Sequence, residues 1–132
     1  MTCVDSNVLL DVIQAEPAWL DWSRARLTAG LAAGPLWAND VVFAEISVSF
    51  RGPAEVAEFL ALAGVEVERT PPEALFLAAR AHLAYRQRGG SRTGVLADFF
   101  IGAHASFRDV PLLTRDPRRY RSYFPGLRLI AP

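Results

Sequence analysis

The sequence contains no lysine, a single cysteine, a single methionine and two histidines, and its unbroken apolar runs are only a few residues long. Runs that short exclude a transmembrane helix. The lone Cys3 excludes an internal disulfide and is expected to pack within the first strand. The absence of lysine weighs against an aspartyl-phosphate phosphatase or receiver, which also wants an Asp-x-Asp pair where this chain has Asp5 and Asn7. Internal repeats, low-complexity tracts and linkers are missing too, as is a basic segment leading into an apolar core at the opening residues. The expectation is a cytoplasmic protein whose 132 residues form one domain, 1–132. An apolar share of 52% is enough to fill a single core.

The formal net charge is zero, but the charge is unevenly divided. Residues 1–66 hold nine acids against Arg24, Arg26 and Arg51, whereas eleven arginines face five acids from residue 67 onward. Guanidinium is the better fork for phosphate, so an arginine-rich half is compatible with a polyanionic partner; arginines solvating helix faces would leave the same composition.

Periodicity and breakers lay out an alternating chain. Residues 1–4 read as a buried strand that delivers Asp5 at its C-terminal end, and 8–14 as a helix capped by Ser6 or Asn7. A second helix starts at Pro17 and stops at Gly34-Pro35; 36–38 is a strand, and Asn39-Asp40 a helix cap. Within 44–50, Ala44, Ile46, Val48 and Phe50 alternate with polar residues as a strand would, but the cap and the lack of a hairpin glycine favour a helix. Then come a helix at 54–63, a cleanly alternating strand at 65–68, a long amphipathic helix opened by Pro71-Pro72, and a nearly all-apolar helix at 95–105. A strand at 110–114, a short helix from Asp116-Pro117 and a strand at 127–130 close the chain. Alternation of this kind implies an α/β fold with a parallel sheet between helices.

Against that map, some acids stand where acids are costly. Asp98 lies in the first turns of the apolar helix, with no arginine within a turn of it. A helix N-terminus offsets only about 0.3–1 kcal/mol of a burial cost of several, so its partner comes from elsewhere in the fold or is a metal ion. Glu45 repeats the oddity more mildly. Asp5 and Asp116 each follow a strand, where helix capping is the competing explanation. Parallel strands bring Asp5 and Asp116 to one rim, from which the helices bearing Glu45 and Asp98 also start. Clustered oxygens without His or Cys select Mg²⁺ or Mn²⁺, and such a site supports in-line hydrolysis of phosphodiesters.

The stretches Val4-Asp5-Ser6-Asn7-Val8-Leu9-Leu10-Asp11, Ala44-Glu45-Ile46, Asp98-Phe99-Phe100-Ile101-Gly102-Ala103-His104-Ala105 and Leu112-Leu113-Thr114-Arg115-Asp116 resemble, in order, the motifs of the PIN-domain family. More narrowly the chain resembles VapC-type ribonuclease toxins of bacterial toxin–antitoxin pairs. The resemblance implies a PIN-like three-layer sandwich around a five-stranded parallel sheet. It also implies Mg²⁺- or Mn²⁺-dependent endoribonuclease activity, a cognate VapB-like antitoxin and a homodimer. Carried over, Asp5, Glu45, Asp98 and Asp116 are the acidic cluster; Asp5, Asp98 and Asp116 are the metal ligands, and Asn7 and Thr114 are supporting residues. Ser6 stands where the family more often has Thr, which keeps the hydroxyl.

Arg92, Arg115 and Arg118, with Arg119 and Arg121, are the candidate RNA phosphate contacts. Asp11 reads as a supporting or surface group. His104 lies about 240° round the helix from Asp98 and is expected to pack rather than ligate. Tyr120, Tyr123 and Phe124 are expected in the core or at a dimer face, with base stacking the alternative. The rival functional reading is a PIN fold without catalysis, kept as a binding or regulatory module.

Overall fold

The computed structural model describes residues 1–91 and 95–132. The elements follow in the order β1 (Thr2–Val4), α1 (Ser6–Ile13), α2 (Leu20–Ala33), β2 (Leu36–Asn39), α3 (Asp40–Ile46), α4 (Pro53–Leu62), β3 (Val65–Glu68), α5 (Pro72–Gln87), α6 (Leu96–Arg108), β4 (Leu112–Leu113), α7 (Arg118–Tyr123) and β5 (Leu129–Ile130). A 3₁₀ turn, Ser47–Ser49, follows α3. All four strand pairings are parallel, in the order β3-β2-β1-β4-β5. This is the α/β architecture expected from the alternation.

The order reverses between β1 and β4. Successive strands run outward from β1 through β2 to β3, and the chain then returns across α5 and α6 to β4 on the other side. Right-handed crossovers in the two directions put their helices on opposite faces of the sheet. They leave a crevice where they diverge, at the carboxyl ends of β1 and β4. Asp5 and Thr114 occupy those two ends. The central β1 is buried along its whole length, with Cys3 and Val4 sealed from solvent. Burial raises the Cys3 thiol well above its ordinary range, so it stays a neutral packing group.

The ambiguous stretch at 44–50 is helical as far as Ile46. The Asn39 side chain accepts the Val42 N–H at 3.0 Å, and the buried residues are Val42 and Ile46, one helical turn apart. The cap overrides the alternation, and Val48 is left exposed. Alternation misleads in β3 as well: Val65 is buried, but Val67 on the same face is 48% exposed, near the end of an edge strand. The second helix begins at Leu20 rather than Pro17, after turns at 17–19. Among the described residues no helix is long and apolar enough to cross a membrane.

Candidate active site

Asp5 occupies the N-cap position of α1 yet makes no capping bond with its side chain. Its Oδ2 accepts the Thr114 hydroxyl and the Tyr120 phenol, each at 2.8 Å. The capping explanation for this acid therefore fails: its lone pairs are committed across the fold. The residue is only 3% exposed, and no arginine or histidine pairs with it among the described residues. Burial raises its pKa, while hydrogen bonds from Tyr120, Thr114 and Ser6 pull the other way.

Thr114 Oγ1 is fully used. It donates to Asp5 and accepts the Asn7 amide and the Asp116 backbone N–H, each at 3.2 Å. The Asn7 carbonyl oxygen in turn accepts the Arg115 backbone N–H at 3.3 Å. Asn7 and Thr114 thus join the segments that follow β1 and β4 and aim Asp5 between them.

Glu45, on α3, receives the Ser6 hydroxyl at 2.5 Å on Oε1, and the same hydroxyl lies 3.4 Å from Asp5 Oδ1. A hydroxyl has one proton, and the shorter contact claims it. Ser6 therefore keeps two carboxylates together while satisfying mainly one. Burial raises the Glu45 pKa and the neighbouring Asp5 charge adds to the rise, against the pull of that hydrogen bond.

Asp98 is in the first turn of α6, its side chain 30% exposed, and it pairs with Arg119 from α7. The cation missing from its own helix is thus supplied by another element. Even so, its pKa is raised to about 6 by burial and by the charge of Asp5, with Glu45 adding to the rise and Arg119 opposing it. The Asp5 charge thus raises the pKa values of both Glu45 and Asp98, and Glu45 adds to the rise at Asp98.

Asp116 lies on the cleft side of the site, its backbone N–H joined through Thr114 to Asp5. It is 56% exposed, its nearest cation is Arg118 at 3.4 Å, and it lines a cleft with Tyr85, Arg118, Arg119, Ser122 and Tyr123. Its side chain does not cap α7, whose N-cap position belongs to Pro117. Arg115 donates Nε to both oxygens of the buried Asp11 at 3.0 Å and lies over the Trp19 ring, so this candidate phosphate contact is engaged inside the fold. Asp11, which also accepts the Ser23 hydroxyl at 2.7 Å, is a buried network residue and not a surface one. Arg92 lies outside the described residues. His104 is fully buried, its ring centroid 4.6 Å from that of Trp37 and its Nε2 2.9 Å from Glu68.

Two contributors escape sequence reasoning. The sequence offers Tyr120 only packing or stacking, yet its buried phenol bonds Asp5. A signal exists, because a tyrosine placed in a core needs a partner for its hydroxyl. Arg119 is one of several arginines near Asp116, and nothing in its spacing singles it out as the partner of Asp98.

The donor set suits a hard divalent cation. Among the described residues it is all oxygen, sets three carboxylates against one guanidinium, and includes a buried acid with no cation of its own. As the side chains stand, no three acidic, His or Cys groups among the described residues converge as a metal cage. Arg119 occupies the Asp98 carboxylate in this arrangement.

A family model for the PIN domain matches residues 2–124, and the chain belongs to that family. Its solved structural neighbours include VapBC2 from Rickettsia felis bound to a DNA fragment from the promoter, at 17% identity and a TM-score of 0.74, covering 99% of this chain and 98% of that one. VapBC-1 from nontypeable Haemophilus influenzae aligns at 13% identity and a TM-score of 0.71, over 98% and 96% of the two chains. DNA-bound VapBC from Salmonella typhimurium aligns at 16% identity and a TM-score of 0.71, with the same coverage. At these identities the likeness is one of fold. No curated protein sequence matches the chain.

Proposed function

We propose that this PIN domain is a Mg²⁺- or Mn²⁺-dependent endoribonuclease of the VapC toxin kind, held inactive by a cognate VapB-like antitoxin. The observation that carries this reading is the gathering of Asp5, Glu45 and Asp98 at the crevice where the strand order reverses, each with its pKa raised by burial and the latter two also by a neighbouring acid. Like-charged groups held together at such a cost are relieved by a cation. The VapBC assemblies among the structural neighbours support an antitoxin partner, and the PIN fold supports phosphodiester chemistry.

Asp5 and Asp98 would hold the ion, with Asp116 a third candidate from the cleft rim. When bound, the ion neutralises phosphate oxygens and acidifies water. The chain's own groups do the rest. Thr114 and Tyr120 hold Asp5 immobile through Oδ2. Glu45 Oε1 is tied to Ser6, which leaves Oε2 to take a proton from the attacking water, and its raised pKa brings it nearer the working pH of a general base.

Asp98→Asn is the direct test. With a fluorescent single-stranded RNA and Mn²⁺, the variant is expected to cut at least about a hundredfold more slowly than the parent while remaining folded. Equal rates in parent and variant, or parent cleavage undiminished by chelator, would refute the assignment. In cells, expression should arrest growth, and co-expression of a neighbouring short reading frame or the Asp98→Asn change should relieve the arrest.

The Arg119–Asp98 pair favours a second reading, a PIN fold whose acidic site is neutralised internally and serves only to bind. Calorimetry separates the two: no heat of binding at millimolar Mn²⁺ supports the binding module, and saturable binding supports the enzyme.

A further inference from the structure

We propose that the cleft beside Asp98 is a subsite for a backbone phosphate of single-stranded RNA adjacent to the one that is cut. The proposal rests on the nuclease reading above. The cleft has a volume of about 380 Å³ and is lined by Tyr85, Asp116, Arg118, Arg119, Ser122 and Tyr123. Arg119 belongs both to this cleft and to the carboxylate site, so a ligand seated here lies within one side chain of Asp98.

Two guanidinium groups stand over an aromatic base. Arg119 sits 5.6 Å over the Tyr85 ring and Arg88 5.3 Å over the Tyr123 ring. The two rings meet edge to face at 5.6 Å and both pack on Phe99, at 5.3 and 5.5 Å. Arginines held this way surrender little further freedom when they bind a phosphate, whereas free surface arginines surrender much more. Arg88 has no carboxylate partner among the described residues. Arg118, 89% exposed, has among the described residues only the 3.4 Å ion pair with Asp116. With Arg119 paired to Asp98 and Arg118 only loosely to the exposed Asp116, Arg88 at the rim of the cleft leaves three guanidinium groups against two carboxylates, a local positive excess on a chain of zero net charge, directly beside an acidic site.

The same contacts argue for phosphate over base. Tyr123 already carries Arg88, and Tyr85 carries Arg119 and has Gly90 pressed against its ring. Each ring thus already carries a guanidinium where a nucleobase would stack. What the cleft presents is guanidinium edges and the Ser122 hydroxyl, which suit a phosphodiester and are indifferent to the base attached to it.

The test is binding in chelator, where no cleavage intervenes. Fluorescence anisotropy would follow short fluorescein-labelled oligouridylate and oligoadenylate on the parent, on Arg88→Gln and Arg118→Gln, and on Arg24→Gln, an exposed α2 control. The Arg118→Gln variant in the cleft and the Arg88→Gln variant at its rim should each melt like the parent and bind both oligomers roughly threefold more weakly. The salt dependence, as log K against log salt, should become shallower by about 0.7 for each phosphate that is no longer neutralised. The control should bind as the parent does. Failure of the parent to bind, unchanged affinity and slope in the cleft variants, or equal weakening in the control would each overturn the proposal. So would weakening confined to one base, or displacement by an acidic peptide and not by RNA. Its failure is distinguishable from that of the nuclease reading. Cleft-dependent binding without Mn²⁺-dependent cleavage defeats only the enzyme, whereas cleavage with unchanged KM in both variants defeats only the subsite.

Discussion

Single residues at the crevice trade fold stability for charge. Asp98 ionises freely in the unfolded chain near pH 4, but in the fold only around pH 6. Between those values the native state holds the extra proton. In chelator, Asp98 therefore makes stability fall as pH rises through that window, and its cost is complete above pH 6. Asp5 and Glu45 act in the same direction. His104, held below its ordinary pKa by burial, acts in the opposite one, so the informative quantity is a difference between proteins. Asp98→Asn should be more stable than the parent at pH 7.5 by about 1–2 kcal/mol, discounted for partial exposure, and the gain should vanish near pH 4. Thermal melts across that range check it; a pH-independent difference would mean that Asp98 carries no such burden. Of these residues, Asp98 is legible in the sequence, because a carboxylate inside an apolar helix violates local burial rules. Tyr120 and Arg119 are not, since each obeys the pattern of its own helix and reveals its role only through an atom on another element.

Among the elements, α7 is the one on which the site depends in a way its six residues do not suggest. It carries Tyr120 to Asp5 and Arg119 to Asp98, and it approaches α6 at Gly102. A Cβ placed there would stand 2.7 Å from Phe124 and 3.0 Å from Tyr120. Both rings are buried and have little room to retreat. Gly102→Ala should gain about 1 kcal/mol of helix propensity, lose about 1–3 kcal/mol to overpacking, and displace the Tyr120 phenol from Asp5. The expected signature is a lowered denaturation midpoint together with weakened Mn²⁺ binding by calorimetry; wild-type values for both would show that α7 tolerates the shift. Elements with strong boundary signals, such as α3 with its Asn39 cap and α5 behind Pro71-Pro72, are readable from the sequence. The exposure of Val67 is not, because alternation reports a strand's two faces but not whether a neighbour covers them.

For the whole molecule, the carboxylate site and the arginine cleft adjoin at one end of the sheet, and Arg119 links them. A cation that binds the native site and not the unfolded chain must raise stability by mass action, by about 2.7 kcal/mol at roughly a hundred times its dissociation constant. Mn²⁺ should raise the melting temperature of the parent and leave that of Asp98→Asn nearly unchanged. A parent that melts identically with Mn²⁺ and with chelator would favour the non-catalytic module. The succession of strands and helices, the parallel sheet and the misplacement of Asp98 were all determined by the sequence itself, because periodicity, caps and burial cost are local properties of the chain. Only the tertiary structure decided that Arg119 pairs with Asp98, that Tyr120 and Thr114 hold Asp5, that Arg115 turns inward to Asp11, and that Asp116 lines the cleft. Those pairings join residues 21 to 115 positions apart. Their distances are set by how the crossovers stack on the sheet, which no local pattern records.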